Sequence, residues 1–138
     1  MRSVLTILAL LLPLVAHAQQ FGPPLDNFPG AASCTSICTT AVVSTSGYTQ
    51  VALEASGSGS GLTFSVEGRM ANGAAWHTLP AVVPTTPGTF VTSMSANGVW
   101  VVACAGFQSV RVNLSAIGGG SETFALAASV GSNLNVGQ

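Results

Sequence analysis

From residue 39 onward, apolar and polar positions alternate with a period of two. In 49–56, Val51 and Leu53 fall on one side, with Gln50, Ala52 and Glu54 on the other. In 62–69, Leu62, Phe64 and Val66 oppose Thr63, Ser65, Glu67 and Arg69. In 110–117, Val110, Val112 and Leu114 oppose Arg111, Asn113 and Ser115. Side chains alternate across a strand, so each run predicts a strand with one apolar and one wet face. Runs at 39–44, 75–79, 89–95, 99–104 and 123–129 complete a set of about eight, separated by Gly, Pro, Asn and Ser. No helical stripe interrupts them. Eight half-apolar strands need a second layer to cover them, which predicts an all-β, antiparallel, jelly-roll-like sandwich. The run 99–104 differs, being apolar on both sides. It must lie deepest or face a neighbouring subunit.

The pattern fails before residue 39. Arg2, an apolar run over 4–16 and Ala16-His17-Ala18 fit a secretory signal cleaved ahead of Gln19. The run is shorter than the roughly 20 residues a membrane span needs, so no stable span is expected after cleavage. Residues 19–38, rich in Pro and Gly, read as an extended arm carrying Cys34 and Cys38, and 39–138 as one sandwich domain. The expected location is secreted or periplasmic. The glycine-rich stretches at 56–61 and 118–121 read as mobile, linker-like loops, since neither has the Gly-Lys-Ser/Thr ending of a phosphate loop.

Charge sharpens the picture by its scarcity. Charged residues make up 5% of the chain, against about 25% in ordinary domains, and there is no lysine. After residue 18, Arg69 and Arg111 face Asp26, Glu54, Glu67 and Glu122. Such a surface cannot neutralise a row of phosphates, which argues against nucleic acid as a partner. Arg111 is expected to reach Glu67 or Glu54 on a neighbouring strand.

Candidate chemistry is thin. Three cysteines and His77 do not make a persuasive metal site, and no cofactor is expected. Cys34 and Cys38, four apart, can meet in a turn; the rival is a bond from the arm to Cys104. The favoured pairing is Cys34 with Cys38, leaving Cys104 buried as a small hydrophobe. His77 and Asp26 offer a serine nucleophile little help, and Glu54 with Glu67 is better read as a solvated face than as a glycosidase pair. The chain reads as a non-enzyme. Tyr48, Trp76, Trp100 and Phe107 are candidate sugar-contacting aromatics, weighed against the usual burial of such residues in cores.

One constellation is more specific. Phe64-x-Val66-Glu67-Gly68, an Asn72-Gly73 turn, Trp76 and Leu79 are followed by Gly98 through Ala103, Gly106, and Val110-Arg111-Val112. A last apolar strand then ends at Ser129. Over roughly 47–129 this resembles small β-sandwich modules of bacteriophage and prophage structural proteins, which are virion- or tail-associated. The turn here is one residue longer, and Asn72 stands where Asp is common in that pattern. The resemblance gives Glu67, Gly68, Asn72, Gly73, Trp76, Trp100, Gly106 and Arg111 structural roles. It implies a non-enzymatic module acting by self-association or virion assembly. The alternative is a secreted bacterial binding module with carbohydrate as its ligand.

Overall fold

The computed structural model describes residues 31–40 and 42–130. The signal segment, Asp26 and the first part of the arm lie outside the described residues. The strands are β1 (Ala32–Cys34), β2 (Cys38–Thr39), β3 (Val43–Ser44), β4 (Gln50–Gly57), β5 (Thr63–Arg69), β6 (His77–Leu79), β7 (Ala81–Val82), β8 (Phe90–Val91), β9 (Gly98–Ala103), β10 (Ser109–Ala116) and β11 (Glu122–Ser129). They form two antiparallel sheets. The first runs β1-β11-β4-β9-β7-β8; the second runs β2-β10-β5-β6, with β3 also on β10. The chain is an all-β sandwich.

The alternation places the core. Val51, Leu53 and Ala55 of β4 and Phe124, Leu126 and Ala128 of β11 point inward from the first sheet. Phe64 and Val66 of β5 and Val110, Val112 and Leu114 of β10 meet them from the second. Phe64 ties the layers together. Its ring meets Trp100 edge-on at 5.5 Å and Phe124 at 5.0 Å, an arrangement that favours the positive ring edge against a negative face.

Several expected elements are corrected. The stretch assigned to the arm supplies β1 and β2, which pair with β11 and β10, so the folded part starts ahead of residue 39. The run 39–44 is divided between β2 and β3. The run 89–95 contributes only the two residues of β8, plus a bridge from Met94 to Phe64. The glycine-rich loops are not free linkers. Ser58 N–H donates to Ser121 O, Ser60 N–H to Gly119 O, and Gly118 N–H back to Ser60 O, so the two loops zip onto each other beyond β4 and β11. Side chains at Gly57 or Gly120 would collide with that opposing backbone.

The Asn72-Gly73 turn lies inside a connection longer than a two-residue hairpin. Residues 70–76 separate β5 from β6, and a β-turn closes within them as Ala74 N–H donates to Ala71 O. Gly73 alone takes positive φ (80°), as the third residue of such a turn can, whereas a two-residue hairpin would need it at Asn72 as well. Gly106 fills its expected place, with φ 89° in the Cys104–Phe107 turn that joins β9 to β10.

Cys34 and Cys38 are disulfide-bonded, with Cα atoms 6.3 Å apart. The bond sits where the chain leaves the first sheet and enters the second, so it clips the two layers at one corner. Cys104 is a free, fully buried thiol. Burial in apolar surroundings disfavours the thiolate and pushes its pKa up to about 11.

Candidate functional site

Two outer faces remain once the core is assigned, and they differ in kind. The second sheet presents polar side chains. Reading across β6, β5 and β10, Thr78 lies opposite Glu67 and Glu67 opposite Arg111; further along, Ser65 lies opposite Asn113 and Arg69 opposite Ser109. Arg111 is held by Glu67, with Nε and Nη2 each 2.8 Å from Oε2. Asn113 Nδ2 donates to the other carboxylate oxygen at 3.1 Å. This decides between the two expected partners, because Glu54 projects from the opposite side of the sandwich. The same separation keeps Glu54 and Glu67 from facing each other across a cleft.

Trp76 belongs to this polar face and not to the core. The chain enters β6 so that His77 lies beside Gly68, while the indole of Trp76 covers the sheet from outside. The Arg111 guanidinium carbon is 4.2 Å from the ring centroid and that of Arg69 is 4.8 Å away. Both are within the range where a cation is drawn to the ring's negative face. Arg69 differs from Arg111 in having no carboxylate partner among the described residues, and its Nε is buried without an acceptor. Periodicity alone placed Arg69 on the wet face. Its pairing with Trp76 depends on the seven-residue connection and was not legible.

The other candidate aromatics fare differently. Tyr48 (8% exposed) and Trp100 (7% exposed) are core residues and cannot form a sugar platform. Phe107 is half-buried against the core, where its ring lies over Gly68. Of the four, Trp76 alone stands on an outer face.

The first sheet presents the contrasting surface. Its registers place Ala127, Ala52, Val101, Val82 and Phe90 side by side across β11, β4, β9, β7 and β8, all pointing outward. With strands about 4.8 Å apart, this apolar row runs roughly 19 Å. Ala125 and Val99 flank Glu54 in the row on one side, and on the other the face turns polar, with Gln50 and Ser129 beside Ala103. Ala52, Val99, Ala125 and Ala127, together with Glu54, line an open hollow there. The two-sided apolar run at 99–104 is thereby explained in part. Trp100, Val102 and Cys104 face the core, while Val99 is 49% exposed, so the strand is not buried on both sides.

At one end of the core, Glu122 is fully buried with neither carboxylate oxygen hydrogen-bonded among the described residues. It lies beneath Gly57 and Gly59. No group of three or more His, Cys, Asp or Glu gathers as a metal centre among the described residues, and no helix long and apolar enough to cross a membrane occurs among them.

No protein-family profile matches the chain, and no curated protein sequence does. Two solved structures share its fold. The SPBc2 prophage-derived protein YomS aligns with a TM-score of 0.59 at 15% identity, over 72% of this chain and 94% of YomS. The PBSX exported protein XepA aligns with a TM-score of 0.63 at 13% identity, over 93% of this chain and 49% of XepA. This chain therefore spans about half the length of XepA. At these identities the likeness is one of fold: an antiparallel sandwich also found in prophage proteins.

Proposed function

We propose that this chain is an exported, non-enzymatic structural or adhesion module of phage or prophage origin, working by self-association and virion assembly through the outer face of its first sheet. The observation that carries the reading is the apolar row from Ala127 to Phe90. Phe90 is 67% exposed at its end, and Glu54 is the one charged side chain among those neighbouring rows. An outward sheet face of an extracellular domain is ordinarily polar; a contiguous apolar one marks a contact surface. The shared fold with YomS and with XepA, the latter described as exported, favours the phage setting.

Contact of this kind is insensitive to salt, because added salt shortens the Debye length from about 10 Å at 0.1 M to 3 Å at 1 M without touching apolar burial. Sedimentation of the purified protein at low and high salt should show an associated species that persists in both. Val101→Glu, at the middle of the row, should yield a monomer with unchanged far-UV circular dichroism. A wild-type chain that stays monomeric at high concentration, or an assembly that dissolves in salt, defeats the proposal. Capsid or tail genes beside its own would place it in a virion.

A further inference from the structure

The polar face of the second sheet carries a different property, which does not depend on self-association. We infer that Arg69 and Trp76 form a binding site for a monoanionic group, a carboxylate or a phosphodiester, repeated along a hydroxyl-rich glycopolymer.

The argument begins with a local count of charge. Arg69 and Arg111 bring two positive charges to the indole of Trp76, and Glu67 brings one negative charge. Glu67 is fully engaged: Arg111 holds one of its oxygens and Asn113 the other. One guanidinium, that of Arg69, is left over. A guanidinium presents five N–H donors in a planar fork suited to two oxygens of one anion. Here the ring lies beside the guanidinium and no carboxylate among the described residues pairs with it; its Nε is buried, so the terminal N–H groups are the ones that meet the anion.

The surroundings suit a polyol more than a protein loop. Ser109 sits directly across from Arg69, Thr78 across from Glu67, and Ser65 across from Asn113, all pointing outward. The set contains hydroxyls, an amide and one half-buried indole, with no large aliphatic side chain among them. Sugars are recognised by such mixtures of hydrogen-bonding groups and an aromatic surface. A single surplus charge matches a monoanionic repeat.

The probes are sodium polygalacturonate, its fully methyl-esterified neutral form, and poly(glycerol phosphate), each titrated against the whole exported protein. The readout is indole fluorescence. Trp100 is in the core, so a response belongs to Trp76, and Trp76→Phe should abolish it. At least one anionic polymer should bind, the two separating carboxylate from phosphodiester recognition, and the esterified polymer should not. Arg69→Ala should weaken binding at least 10-fold, and Arg69→Lys should restore only part of it, since an ammonium lacks the fork. Arg69→Gln, which keeps a long polar stem, guards against a simple loss of packing, with near-UV circular dichroism confirming the fold. The monomeric Val101→Glu protein should bind each repeat as the wild type does, so that failure of assembly and failure of this site are told apart. Binding to neither anionic polymer, equal binding to the neutral one, or affinity indifferent to Arg69→Ala would overturn the inference.

Discussion

Reducing the Cys34–Cys38 bond should loosen the corner where the chain passes between sheets, and the size of the effect can be worked out. The bond closes a loop with a sequence separation of 4. Loop-closure entropy for so short a ring corresponds to about 2 kcal/mol at 25 °C, taken from the unfolded ensemble. In a domain of this size 1 kcal/mol moves the melting temperature by about 4–8 °C, so reduction should lower it by roughly 8–16 °C. Calorimetry of the wild-type protein with and without a phosphine reductant compares identical sequences, leaving the packing of the buried Cys34 side chain in place. Cys38→Ala should melt with the reduced wild type and ignore the reductant. Amide exchange adds spatial detail: β1 and β2 should lose protection first, because each is attached mainly to one neighbour, β11 and β10 respectively. A shift below about 2 °C would refute the reasoning, since it would mean that β1 and β2 hold the corner unaided.

Three other outcomes are expected. Gly68→Ala should destabilise by about 1–3 kcal/mol in urea unfolding, because a Cβ there meets Leu79 Cδ1 and Phe107 Cδ1 at 2.8 Å each, and Phe107→Leu should recover part of the loss. Glu122→Leu should raise stability by about 1–3 kcal/mol, as it removes a buried carboxyl without a hydrogen-bond partner among the described residues; a lower melting temperature would refute this. Stability should fall between pH 9 and about 11, where an unfolded Cys104 has lost its proton and the buried one retains it. Cys104→Ala should flatten that slope, and a fluorescence melt across the window reads it directly.

How much of this was legible depended on the length of each element. Strands β4, β5 and β10 run for seven or eight residues, long enough for period-two alternation to declare both the strand and its buried side, whereas β9 and β11, apolar at nearly every position, were legible as strands only. Strands β1 and β7 were missed because three residues among Ala, Ser and Cys, or two between prolines, carry no period. Parity could place Glu54 and Glu67 on wet faces but could not say that these faces lie on opposite sides of the sandwich, so the partner of Arg111 stayed open. The position of Trp76 escaped for a related reason. A seven-residue connection lets the chain re-enter the sheet in either parity, and only the pairing of Gly68 with His77 decides it. The face of β9 away from the core was visible as an apolar run, but its neighbours Ala52, Ala127, Val82 and Phe90 come from four other strands whose order no local pattern contains.

The order of strands has one more consequence, for behaviour at high concentration. The longest strands, β4, β10 and β11, all lie inside their sheets, while among the described residues the margins are formed by β1, β8, β6 and, both on β10, β2 and β3, none longer than three residues. A margin of that length offers too few free N–H and C=O groups to template another chain's backbone. Many proteins guard such margins with lysine, and this sequence has none. Brevity takes the place of charge. Copies brought together face to face would therefore have little strand edge with which to recruit one another edge to edge.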